Sequence, residues 1–136
     1  MSVLFPSDDW IKALSVILNE SESYERSAKN WEGDFVFVVE PDGNYQDTAY
    51  LYLGLDHGKS PDAAMVEAVD SREVQYTLSA PYGTWLKVLG GQIDPIQGMM
   101  TRKLKLKGNM MMIMRYPKAA QEIMACTKLI PTDFAV

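Results

Sequence analysis

The sequence predicts an α+β fold, and three observations carry that prediction. Trp10, Ile11, Leu14, Ile17 and Leu18 recur at three- and four-residue steps, the apolar stripe of a helix. From Phe35 to Ser79 the pattern changes to short aromatic and β-branched runs broken by turn residues, as in strands joined by tight connections. From Lys103 to Lys107 lysine and leucine alternate with period two, a strand with one wet and one buried face.

Ser7 is placed to cap the first helix, with Asp8 and Asp9 in the first turn where negative charge suits the helix dipole. The polar run Asn19 to Ser23 interrupts the stripe, and Tyr24, Ala28 and Trp31 restart its spacing. A second helix, or a bent continuation of the first, therefore ends near Gly33. Phe35 to Val39 then reads as a strand. Pro41-Asp42-Gly43-Asn44 is a turn, since proline fixes one dihedral and glycine tolerates positive φ. Ala49 to Leu55 answers as the second arm of a hairpin, with Tyr50 and Tyr52 on one face and Leu51, Leu53 and Leu55 on the other. Ala64 to Val69 is a further short strand. After the turn Asp70-Ser71-Arg72, Val74 to Ser79 alternates so that Val74, Tyr76 and Leu78 share a face. These strands predict a four-stranded antiparallel meander.

Pro81 suits the first turn of a helix carried by Trp85, Leu86, Val88 and Leu89, and Gly90-Gly91 stops it. Asp94-Pro95 is a second cap-plus-first-turn signal, with Ile96, Met99 and Met100 as the apolar side. In the lysine strand Leu104 and Leu106 look inward. Gly108-Asn109 turns the chain into Met110 to Met114, an unbroken apolar run. Pro117 begins another helix because proline cannot continue one that bonds normally. Ala120, Ile123, Met124 and Leu129 fall on one side of that last helix.

At 136 residues the chain has the length of one domain, 1–136, large enough to bury roughly two-thirds of its unfolded surface. Its net charge of −5 argues against non-specific nucleic-acid binding, which needs a basic face to displace counterions. A lone cysteine, Cys126, excludes an intrachain disulfide and suits a reducing compartment. The chain shows no signal peptide, no apolar run of transmembrane length and no peroxisomal or endoplasmic-reticulum address at Asp133-Phe134-Ala135-Val136. The expected location is cytoplasmic.

Few residues point to chemistry. His57 has no cysteine or second histidine at ligand spacing, so a solvated loop residue is the simpler reading than a base or metal ligand. Cys126 lacks the electropositive setting of a nucleophile and reads as a small buried apolar residue. The glycine pair Gly90-Gly91 belongs to no phosphate-cradling motif. The methionine run has two readings. Packed core is the commoner fate of apolar helical residues, but dense packing favours branched side chains, and methionine makes an adaptable wall. Arg102, Lys103, Lys105, Lys107, Arg115 and Lys118 also have two: a solvated face, or a local basic patch that holds an anionic headgroup or docks on an anionic membrane.

The order Trp85-Leu86-Lys87-Val88-Leu89, glycine pair, Asp94-Pro95, lysine-leucine strand and Gly108-Asn109 resembles the C-terminal half of the sterol carrier protein type 2 family. The N-terminal half is similar in outline: a helix, Tyr24 to Trp31, then Trp31-Glu32-Gly33-Asp34 and the Phe35 strand. The resemblance covers nearly the whole chain and is to a stand-alone, prokaryotic-type member. It implies a five-stranded, mostly antiparallel sheet covered by helices, around an apolar tunnel for a fatty acid, fatty acyl-CoA or sterol-like lipid. With it, the methionine run is read as cavity wall. The candidate ligand contacts are Trp85, Leu89, Met99, Met100, Leu104, Leu106, Met110, Met111, Met112, Met114, Ile123 and Phe134. Lys103, Lys105 and Lys107 are the candidates for headgroup or transient anionic-membrane contact. No catalytic residue, metal or cofactor is expected. The competing reading is an interaction or dimerisation module with a filled core, accessory to a lipid-metabolising enzyme.

Overall fold

The computed structural model describes residues 2–135. Met1 and Val136, which complete the expected domain range, lie outside the described residues. In chain order the elements are β1 (Val3–Phe5), α1 (Asp8–Glu20), α2 (Glu22–Ser27), β2 (Phe35–Glu40), β3 (Ala49–Leu53) and β4 (Ala63–Val66). There follow β5 (Tyr76–Pro81), α3 (Tyr82–Leu89), α4 (Pro95–Met100), β6 (Lys105–Lys107), α5 (Met110–Ile113), α6 (Pro117–Thr127) and β7 (Thr132–Phe134). The starts of α1 and α4 sit where the sequence puts them, whereas Pro81, expected in the first turn of α3, ends β5 and is the N-cap of that helix. The Ser7 side chain accepts from the Trp10 amide at 3.1 Å, and Asp94 accepts from the Gln97 amide at 3.1 Å. Gly90-Gly91 ends α3, with Gly91 in the left-handed region at φ +82.

The main sheet has five strands in the order β4-β3-β2-β5-β6, and it is mixed. β2–β3, β3–β4 and β5–β6 are antiparallel, but β2 and β5 run parallel, with Phe37 opposite Leu78. The expected meander is therefore wrong at its fourth strand: the chain leaves edge strand β4 and returns on the far side of β2. The reason lies in β2 itself. Phe35-Val36-Phe37-Val38-Val39 does not alternate in polarity, because this central strand is covered on both faces. Phe35, Phe37 and Val39 join the principal core, while Val36 and Val38 form a second cluster with Tyr52. The connection from β4 to β5 covers that second cluster. Val74 packs on it, opposite to the face expected, and Arg72 lies 4.6 Å above the Tyr52 ring while bonding Asp62 at 2.8 Å.

Two strands had no clear sequence signal: β1 and β7 pair in parallel as a separate two-stranded sheet, Val3 with Thr132 through Phe5 with Phe134.

Asp42 ties the β2–β3 turn to α3. Its carboxylate accepts from the amides of Asn44 at 2.9 Å, Tyr45 at 3.0 Å and Gly83 at 2.7 Å. The Gly83 bond satisfies a first-turn donor of a helix whose N-cap, Pro81, makes no side-chain cap. These amides hold the Asp42 carboxyl below its ordinary value. A depressed folded pKa stabilises above the unfolded value of about 3.9 and is lost as pH falls through the folded one. Asp42→Ala is thus expected to lower the melting temperature at pH 7, and the gap from the parent to close below about pH 4. Thermal unfolding followed between pH 2 and 7 checks this.

Candidate functional site

The inner face of the main sheet does not meet its helices everywhere. Between them lies an apolar cavity of about 110 Å³. Phe35, Phe37 and Val39 of β2, Leu51 of β3 and Leu78 of β5 form its floor. These residues share one face because side chains alternate along each strand and the register sets Phe37 between Leu51 and Leu78. The roof comes from every helix but α2. Trp10 and Leu14 of α1, Trp85, Val88 and Leu89 of α3, and Pro95 and Met99 of α4 contribute, with Ile113 of α5. In α6 Ala120, Ile123, Met124 and Thr127 follow at three- and four-residue steps, one stripe turned inward.

Nothing polar is left over in the lining. The Trp85 indole donates to the Val38 carbonyl at 2.9 Å, and the Trp10 indole donates to Thr132 Oγ1 at 3.1 Å. The Thr127 hydroxyl donates to the Met124 carbonyl at 2.6 Å. The cavity therefore offers water no partner and suits an apolar occupant.

A second pocket, of about 330 Å³, lies at the surface and is lined by Leu86, Leu89, Gly90, Lys128 and Phe134, among others.

Of the sequence-derived candidates, Trp85, Leu89, Met99, Leu104 and Ile123 line the inner cavity, and Leu89 and Phe134 the outer pocket. Leu106 and Met110 are half-buried against the core without lining either. The methionine wall is not in place. Met100 is 58% exposed, Met111 73%, Met112 36% and Met114 45%. For Met111, Met112 and Met114 the reason is length: α5 is one turn, capped by Asn109, and it buries Ile113 fully and Met110 in part, which leaves no inward position for the others. Leu129 is likewise turned out, because α6 stops at Thr127. Sequence reasoning missed the floor as a site, although the leucine face of β3 was already visible. It also passed over Met124, whose place in the α6 stripe was the available signal.

The lysine strand is shorter than expected. Lys105 and Lys107 are exposed opposite Ser79 and Thr77 on edge strand β6. Lys103 lies before the strand, in the turn that follows Arg102 at φ 63. Charged side chains on an edge strand also discourage pairing with another sheet.

His57 sits half-exposed between two carboxylates, Nδ1 2.7 Å from Asp56 and Nε2 3.1 Å from Glu32. Sequence spacing did not reveal Glu32 as its neighbour; a β-bridge between Glu32 and Asp56 brings it there. Cys126 is buried on α6, and burial pushes its thiol up, away from the thiolate a nucleophile needs. Among the described residues no helix is long and apolar enough to cross a membrane.

Residues 14–121 match the model of the SCP-2 sterol transfer family. Among solved structures, the chain is similar to a sterol carrier protein 2 crystal structure at 31% identity, covering 91% of this chain and 97% of the other, with a TM-score of 0.82. It is similar to a conserved hypothetical protein of Thermus thermophilus, described as possibly a sterol carrier protein. There the identity is 31%, the coverage 92% and 88%, and the TM-score 0.83. Sterol carrier protein 2 of Aedes aegypti, solved with palmitate, shares the fold at 12% identity and a TM-score of 0.53, covering 93% of this chain and 98% of that one. The comparison with curated proteins gave no match.

Proposed function

The chain belongs to the SCP-2 sterol transfer family, and from that premise we propose that it binds a long-chain lipid, a fatty acid or fatty acyl-CoA before a sterol, and carries it through water. The observation that carries the reading is the cavity: a space between sheet and helices lined almost wholly by apolar side chains, with the Trp85 and Trp10 indoles and the Thr127 hydroxyl already bonded. The palmitate bound by the mosquito relative supports an acyl chain as cargo. Ten buried methylenes contribute about 8 kcal/mol gross, on the scale of micromolar binding. No covalent step is needed.

At about 110 Å³ the cavity is smaller than one of ~150 Å³ that admits benzene. A long chain therefore enters only if the roof moves. The short helices α4 and α5 are the parts to move, since both pair lining residues with exposed methionines. Their displacement would turn Met100, Met111, Met112 and Met114 toward the chain, as adaptable wall. The small volume and those exposed methionines also favour the second reading, an interaction module with a filled core. Titration of delipidated protein with a fluorescent fatty acid and with an acyl-CoA separates the two. Saturable micromolar binding supports the carrier; its absence for both ligands supports the module.

Lys105 and Lys107, with Lys103 beside them, fit transient contact with an anionic membrane. Charge reversal at Lys105 and Lys107 is expected to leave stability within about 0.5 kcal/mol. It should slow uptake from anionic vesicles and remove the salt dependence, with neutral vesicles unaffected. Equal rates in mutant and parent would reduce the lysines to an edge-strand guard.

A further inference from the structure

The two pockets share a wall. Trp10, Leu89 and Thr127 line both the inner cavity and the surface pocket, so these side chains belong to the wall between them. Two of the three are fastened: the Trp10 indole to Thr132 Oγ1 at 3.1 Å, and the Thr127 hydroxyl to the Met124 carbonyl at 2.6 Å. Leu89 is held by packing alone. It is the last residue of α3, half-buried, and the chain after it is Gly90 and the left-handed Gly91.

The outer pocket differs from the inner one in chemistry. Its lining is mostly apolar, but it includes one charged side chain, Lys128, and no acidic one. The Lys128 Nζ lies over the Gly91 backbone, 3.5 Å from where a Cβ would stand there. Among the described residues no carboxylate comes within ion-pair distance of it. A cation without a partner at the rim of an apolar pocket is suited to an anion carried on an apolar chain.

We propose that this outer pocket is the subsite for the anionic end of the cargo, a carboxylate or a phosphate bound by Lys128, with Leu89 as the side chain that moves to let the alkyl chain into the inner cavity. The inference rests on the carrier reading and specifies it: the cargo is an amphiphile with an acidic head, and its chain passes between Trp10 and Thr127. It assigns the headgroup to Lys128 instead of the lysines of β6.

Binding of three C16 probes by the parent and by Lys128→Gln tests it: hexadecanoate, hexadecyl phosphate and hexadecanol. The parent should bind the two anions more tightly than the alcohol. Lys128→Gln should weaken the anions on the order of fivefold, the scale of one partly exposed charge pair, and leave the alcohol unchanged. A larger loss for one anion identifies the headgroup class. Leu89→Ala should raise the association and dissociation rates of all three probes severalfold while their affinity ranking stays. Equal losses for anions and alcohol in Lys128→Gln, or no loss for either anion, overturns the headgroup subsite. Unchanged rates in Leu89→Ala overturns the passage. If the parent binds none of the probes, the carrier reading itself fails and the subsite with it; binding of all three with no preference for the anions removes the subsite alone.

Discussion

Trp85→Ala is expected to cost about 3–5 kcal/mol of stability, and a bound fatty acid to return a large part of it. Trp85 is 7% exposed, packs edge-on against Phe37 with ring centroids 5.8 Å apart, and donates its indole N–H to the Val38 carbonyl. Truncation removes that packing, leaves a carbonyl without its donor and enlarges a cavity that already exists. An enlarged apolar cavity is a better host for an alkyl chain. Ligand that binds only the folded state adds about 2.7 kcal/mol at a hundredfold excess over Kd. Denaturant unfolding of parent and variant, with and without hexadecanoate, measures both quantities. Destabilisation without any rescue, in a parent that is itself stabilised by the ligand, would mean that Trp85 is core and not cavity wall.

Ala120→Leu is expected to do the reverse: binding falls by at least tenfold while stability holds or rises. Ala120 stands in the inward stripe of α6, where three added carbon atoms would project into the empty space. Overfilling a fully packed core costs about 1–3 kcal/mol through forced rotamers and backbone shifts. The same substitution into a void adds contacts instead. Calorimetric titration and thermal unfolding on one preparation give the answer. A large loss of stability would show that the helix and sheet have no room between them.

Much of the frame was readable because its signals are local. Ser7 and Asp94 cap through their own side chains, Gly90-Gly91 stops a helix through backbone freedom, and Leu104 is buried because leucine alternates with lysine. The cavity floor was half readable, since Leu51, Leu53 and Leu55 share a face by period two, and Leu51 and Leu55 of that face line the cavity. What failed depends on partners distant in sequence. No local rule tells whether Val74 to Ser79 lies beside β4 or beside β2; the clue was the unbroken apolar run of β2, which demands cover on both faces. Met110 to Met114 was hard to place for a different reason: a uniform run carries no periodicity, so nothing in it says that a one-turn helix will bury Ile113, half-bury Met110 and leave Met111, Met112 and Met114 exposed. The resemblance to a family of carriers supplied a cavity for the methionines to line, and the exposed ones reach it only in the proposed displacement of α4 and α5.

The short parallel pair β1–β7 links Val3 to Thr132, and so closes the chain into a ring by joining segments almost its whole length apart. Loop-closure cost grows only slowly with length, and α1 and α6, which follow β1 and precede β7, already touch. The clasp is anchored at Phe5, which is 2% exposed and packs on the rings of Trp10, Tyr82 and Phe134, while Leu4 and Phe134 remain exposed. Phe5 of the clasp borders the inner cavity, and Thr132 and Phe134 border the outer pocket. A sequence change in residues 3–5 or 132–134 therefore reaches the edge of both pockets while leaving the sheet floor and the α3 and α6 walls as they are.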